Sequence, residues 1–270
     1  MQATPTGLEE IAAAFTSARN KGRTAALMPY YTLGYPDRAS SLDIITAIAE
    51  DSDLLELGIP FSDPLADGPT IQHSTQVSLE QGTTLDGCLE MVRELRRRGV
   101  HTPVLLFGYY NPFLAYGLER LASAARAAGA QGFIVPDLPP EEAADMENAA
   151  MAEGLAYIHF LAPTSSAHRI EAVTARARGF IYLVSVTGVT GARQTIESNL
   201  AGFVDRVRQH TNVPLAVGFG ISTPEQATSI GAMADGVIVG SALINAVDGT
   251  ENGKPEAAAA FVRSLRIALE

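Results

Sequence analysis

The sequence predicts an α/β protein, a single (β/α)8 barrel preceded by an extra N-terminal helix, on three observations. Eight short runs rich in β-branched and aromatic residues alternate with longer segments of helical period. The length, 270 residues, is ordinary for one barrel of this kind. No linker, low-complexity segment or block of charge divides the chain, so residues 1–270 read as one domain. A doubly wound open sheet is the alternative, but no G-x-G-x-x-G follows the first strand.

Taken in order, GLEEIAAAFTSARNKG reads as the extra helix, which either caps the bottom of the barrel or lies on its surface. The strands are AALMPYYTLG, DLLELGI, PVLLFGY, GFIVPD, AYIHFLAP, FIYLVSVTG, PLAVGFG and GVIVGS. Between them stand SSLDIITAIAED, TLDGCLEMVRELRRRG, LERLASAARAAG, EEAADMENAAMAEG, NLAGFVDRVRQH and TPEQATSIGAM as helices. The short helix SALINAV and then KPEAAAAFVRSLRIALE close the chain.

Composition narrows the function classes. Apolar residues make up 47%, enough for a large core, while charged residues are only 18%, consistent with surface covered by a partner. A net charge of −11 argues against nucleic acid, so an anionic substrate needs local positive ends instead of a global field. No apolar run reaches membrane length, and the first residues carry acids where a signal peptide needs bases. The single cysteine, Cys88, excludes an internal disulfide and sits in a helical pattern as a buried structural thiol. A cytoplasmic protein is expected.

The catalytic face of a barrel lies at the C-terminal ends of its strands. Glu56 falls near the end of the second strand, in LELGIPFSDPLADGPTIQ, inside an apolar run where a carboxylate is costly unless it is paired or its pKa shifts. The following loop, stiffened by Pro60, Pro64 and Pro69, fixes Asp63 and Asp67. Two carboxylates at one strand end suit acid/base chemistry, and a structural glutamate paired to a neighbouring strand is the other reading.

Two late segments suggest a phosphate site. Gly218 and Gly220 end strand seven, Gly240 ends strand eight, and Ser241 opens a short helix that it can cap. Neither segment has a Lys or Arg, so recognition would rest on backbone dipoles; two plain glycine turns are the alternative. The loop SVTGVTGARQT, with Thr187, Gly188, Thr190 and Gly191, is either a mobile lid or an ordinary glycine-rich loop, and its Arg193 is read as facing solvent, with reach to a phosphate as the other reading. Tyr30, Tyr31, Phe107, Tyr109, Tyr182 and Phe219 gather at the same ends, where a flat apolar ligand would lie. The histidines show no metal spacing, and His159 reads as a satisfied core residue, so neither a metal nor a cofactor is expected.

Together these motifs resemble the tryptophan synthase α chain family. LELGIPFSDPLADGPTIQ is its most distinctive signature, and GFIVPDLPPEE, SVTGVTG, AVGFGIS and VGSAL follow in its order and spacing, from Ala26 to Val247. The resemblance implies a TIM barrel that splits indole-3-glycerol phosphate into indole and glyceraldehyde 3-phosphate, with a β-chain partner in an α2β2 assembly. It implies that Glu56 is the acid/base, Asp67 the holder of the indole N–H, Tyr182 a neighbour of the glutamate, and Thr190 a lid residue near Asp67. Gly191, Gly220, Gly240 and Ser241 match the phosphate binders, and Tyr30, Phe107, Tyr109, Ile134, Leu161 and Phe219 the indole pocket. Tyr30 stands where many relatives carry phenylalanine, which puts a hydroxyl near the ring. A lysine-dependent barrel enzyme is disfavoured, because the two lysines, Lys21 and Lys254, lie in terminal segments. A ligand-binding regulatory subunit without turnover is disfavoured by the intact carboxylates. A stand-alone indole-3-glycerol phosphate lyase that releases free indole is the alternative within the same chemistry.

Overall fold

A computed structural model describes residues 5–184, 193–218 and 220–270. The chain runs α1 (Gly7–Asn20), β1 (Ala26–Thr32), α2 (Arg38–Ala49), β2 (Leu55–Gly58), α3 (Pro69–Glu80), α4 (Leu85–Arg97), β3 (Val104–Phe107), α5 (Tyr110–Tyr116), α6 (Leu118–Ala128) and β4 (Gly132–Ile134). A 3-10 turn (Pro140–Glu142) leads to α7 (Ala144–Ala152), β5 (Ala156–Leu161), α8 (Ala167–Arg176), β6 (Ile181–Val184), α9 (Arg193–Arg208), β7 (Leu215–Gly218), α10 (Pro224–Gly231), β8 (Gly236–Val239), α11 (Ser241–Asp248) and α12 (Lys254–Ile267). All eight strands are parallel and follow one another in sequence order, and Ala26 against Gly236 closes the ring, as the alternating pattern predicts.

Local chemistry sets the helix starts. Thr6 and Glu9 form a capping box at α1, Thr223 and Gln226 another at α10, and Asp37 and Thr84 cap α2 and α4. The buried residues of α1 are Gly7, Ile11, Phe15 and Ala18, and Phe15 meets Phe180, just before β6, at 5.9 Å. The Gly7 N–H donates to Gly154 O at the entry to β5, so α1 covers the N-terminal ends of the strands. At that same end the buried pair Arg23–Asp53 holds the start of β1, Asp53 also accepting from Leu27 N. Arg96 donates to the carbonyls of Gly129, Val100 and Thr102. Charge at this face stabilises the barrel and leaves the opposite face for chemistry.

Three helices, α3, α5 and α8, were not expected. The buried positions of α3 are Ser74, Thr75 and Ser78, so no apolar stripe announces it. Pro69 belongs to its first turn, where proline is favoured, and only Pro60 and Pro64 stiffen the loop before it. Helix α5 is too short to show a period, and α8 buries only Ile170 and Val173.

Candidate active site

Register places the interior residues. Tyr30 pairs with Glu56 and Glu56 with Leu105, while Gly58 pairs with Phe107 and Phe107 with Ile134. Partners in a parallel ladder point to the same side, so these residues share the barrel interior. Above them is a cavity of about 230 Å³ bordered by Tyr30, Glu56, Asp67, Phe107, Tyr182, Gly220, Gly240 and Ser241. Strand ends and loops far apart in sequence thus meet at one place.

Glu56 is fully buried, and neither carboxyl oxygen has a hydrogen-bond partner among the described residues. Loss of water penalises the charged form, and burial raises its pKa well above the ordinary carboxyl value. Burial therefore favours the neutral form of Glu56, which borders the cavity.

Asp67 is held differently. Its N–H donates to Pro64 O at 3.1 Å, and its carbonyl accepts from Gln72 Nε2 at 2.8 Å, which ties the loop to α3. Its Oδ2 accepts from Tyr109 Oη at 2.9 Å, and that phenol accepts in turn from Ala66 N at 3.0 Å. Burial pushes Asp67 up to about 6, and the Tyr109 hydrogen bond opposes that rise. Burial thus favours the protonated form of Glu56, while Asp67, held down by Tyr109, ionises above about pH 6.

The walls are aromatic. Tyr30 meets Phe107 edge-on at 5.4 Å, and Tyr182 stacks at 4.7 Å on Phe160. Both tyrosines need a glycine beneath them: a Cβ on Gly58 would lie 2.0 Å from Tyr30 Oη, and one on Gly218 would lie 2.3 Å from Tyr182 Oη. At the far end Gly240 is the N-cap of α11 without a side-chain hydrogen bond, and Ser241 is the first helical residue, not the cap. Gly240 O accepts from Leu243 and Ile244, and among the described residues the Ser241 and Ala242 N–H groups are free donors of a helix start. No lysine or arginine borders the cavity among the described residues.

Three expected pocket residues do not border the cavity. Leu161 pairs with Leu183, one step from the Phe160–Tyr182 pair, so it turns to the outer face and Phe160 takes the interior place. A shift of one residue in a strand reverses the face. Ile134 is interior and buried but does not border the cavity. Tyr109 acts through Asp67 and is not part of the cavity wall. Thr190, Gly191 and Phe219, with Thr187 and Gly188, lie outside the described residues, as does the side chain of Arg193.

His159 contacts Glu147 Oε1 at 3.2 Å on the outer side of β5, and burial lowers its pKa. Cys88 is a buried free thiol. Among the described residues no cluster of three or more His, Cys, Asp or Glu could hold a metal, and no helix is long and apolar enough to cross a membrane. Sequence reasoning missed Phe160, Thr32, Ser74, Ile71 and Asn245. Phe160 is placed by its register against Tyr182 on the next strand, which local pattern does not fix, whereas the i,i+4 spacing from Ser241 would have found Asn245.

Comparison with known proteins agrees with this geometry. The sequence profile of the family described as tryptophan synthase alpha chain matches residues 15–268. The tryptophan synthase alpha chain of Chloroflexus aurantiacus is 53% identical over 263 residues, 96% of this chain and 97% of the relative. The crystal structure of tryptophan synthase subunit alpha from Legionella pneumophila superposes with a TM-score of 0.89 at 36% identity, covering 96% of this chain and 98% of that one. A chain of tryptophan synthase from M. tuberculosis, in an aminoacrylate-bound form, gives 0.87 at 33% identity, covering 97% and 99%. With the profile spanning nearly all of a closed eight-stranded barrel, this chain belongs to the tryptophan synthase alpha chain family.

Proposed function

We propose that this chain cleaves indole-3-glycerol phosphate to indole and glyceraldehyde 3-phosphate, as one barrel domain and as the α subunit of a tryptophan synthase. The observation that carries the mechanism is the buried carboxyl of Glu56, without a hydrogen-bond partner among the described residues, facing the same cavity as Asp67. Neutral Glu56 donates its proton to ring carbon C3, and the ring nitrogen takes on positive charge beside ionised Asp67. The Glu56 carboxylate then takes the proton of the glycerol hydroxyl next to the ring. The O–H electron pair becomes the aldehyde C=O, and the C–C pair returns to the indole ring. One proton moves from oxygen to carbon, Glu56 is restored, and no redox partner is required.

Tyr30, Phe107 and Tyr182 suit the flat ring, and Gly220, Gly240 and Ser241 suit the phosphate at the start of α11. Thr190, Gly191 and Phe219 join them in this reading as lid, phosphate and ring contacts. The partner is a tryptophan synthase β chain in an α2β2 assembly. Leu65, 92% exposed on the loop that carries Asp67, offers an apolar contact beside the site. The reaction is placed in the cytoplasm, where the buried thiol of Cys88 stays reduced.

The test is indole release from indole-3-glycerol phosphate by the chain alone and with a β chain. Slow turnover that rises sharply with the β chain supports the α-subunit role. Fast turnover indifferent to the β chain marks a stand-alone lyase, and none in either case sinks the enzyme reading.

A further inference from the structure

We propose that the Tyr30 hydroxyl is a hydrogen-bond acceptor for the indole ring N–H, held in that sense by a proton chain through Thr32 and Ser74. The inference rests on the substrate reading above. Tyr30 Oη lies 3.3 Å from Thr32 Oγ1, Thr32 Oγ1 lies 2.7 Å from Ser74 Oγ, and Ser74 Oγ donates to Ile71 O at 2.9 Å. Each hydroxyl has one proton. Ser74 spends its proton on a carbonyl, so Thr32 must donate to Ser74 and Tyr30 to Thr32. The phenol proton points away from the ligand, and its lone pairs are what remain for the cavity.

The hydroxyl cannot swing out of this arrangement. Thr32 and Ser74 are fully buried, and the Tyr30 ring is held by Phe107 edge-on at 5.4 Å. On its other side a Cβ on Gly240 would lie 3.4 Å from Tyr30 Cβ and Cδ1. The oxygen lies against Gly58, the last residue of β2, from which the chain leads directly to Asp67. Burial and the nearby charge of Asp67 both keep the phenol protonated. The ring N–H thus meets two oxygens, Asp67 and Tyr30. A ring without that N–H meets two lone pairs and nothing to share with them. Tyr30 therefore discriminates among bicyclic rings, with Thr32 and Ser74 as positioning residues.

The test compares two non-cleavable phosphate esters, 3-(indol-3-yl)propyl phosphate and its benzofuran counterpart, in which oxygen replaces N–H. Binding to the full chain is measured by titration calorimetry for wild type, Tyr30→Phe and Thr32→Val. Tyr30→Phe should weaken the indole ester about 5- to 10-fold, the size of one neutral hydrogen bond, and change the benzofuran ester less than about twofold. Thr32→Val frees the phenol proton to point into the cavity, so the indole ester should again weaken while the benzofuran ester holds or tightens. Equal weakening of both esters in both variants would mean that Tyr30 only packs, and would overturn the proposal. If Tyr30→Phe does not fold, the ratio in Thr32→Val decides. If wild type binds the indole ester but does not cleave indole-3-glycerol phosphate even with a β chain, the enzyme reading fails while the ester ratio still reports on Tyr30. If wild type binds neither ester, both fall.

Discussion

Tyr109 donates a hydrogen bond to Asp67 Oδ2 at 2.9 Å, and so one strand end sets the charge state of a carboxylate carried by another. Tyr109 follows β3, whereas Asp67 lies in the loop after β2. The same phenol accepts from Ala66 N, so it fixes the loop as well as the carboxyl.

Replacing Tyr109 with Phe removes the bond that holds Asp67 down. Its pKa then rises above about 6, and the acid limb of the kcat/KM profile moves to higher pH. In the proposed reaction Asp67 acts ionised, so turnover at pH 6.5 should fall roughly 3- to 10-fold and recover in part by pH 8. A pH–rate profile checks this, and an unmoved acid limb would remove Asp67 as the group that titrates.

Wild-type activity itself should be bell-shaped. In the proposed reaction it rises through about pH 6 as Asp67 ionises and falls at higher pH once Glu56 loses the proton it donates. Steady-state rates from pH 5 to 10 with a saturating β chain give both limbs.

Glu56 also carries a stability signature. A carboxyl whose folded pKa exceeds its unfolded value contributes its full share to stability below the unfolded value, near 4.5, and loses it as pH rises toward the folded value. Glu56→Gln has no such titration. Its melting temperature relative to wild type should therefore increase as pH rises from 4.5 toward the folded value, which calorimetric scans at increasing pH would record.

At the phosphate end, Gly220 has φ +81°, where a side chain is strained, so Gly220→Ala should cost about 1 kcal/mol of stability. Gly240 has φ −126°, outside the left-handed region, and a Cβ there lies 3.4 Å from Tyr30. Gly240→Val should therefore fold but crowd the ring and the anion, raising KM about 10-fold or more. Thermal melts and steady-state kinetics separate the two effects.

The sequence made the barrel legible because each strand is a compact apolar run and helices such as α4 and α6 have a clear period. Helix α3 escaped because it packs through Ser74, Thr75 and Ser78, and hydroxyls carry no hydrophobic period. Glu56 stood out as a charge within an apolar strand, and its isolation in the fold follows directly. The side on which Leu161 falls depends on register against β6, which one strand read alone does not fix. The Tyr30–Thr32–Ser74 chain joins β1 to α3, two elements whose meeting is decided by barrel closure and not by local pattern.

The central claim is that Glu56 is the proton donor and then the acceptor. Single-turnover indole formation from indole-3-glycerol phosphate, with a saturating β chain, compares wild type with Glu56→Gln most directly. The amide cannot deliver the proton to the ring, so a folded Glu56→Gln protein should bind substrate normally yet form indole slower by on the order of 10²- to 10⁴-fold. Indole formation at the wild-type rate by that folded variant would contradict the account.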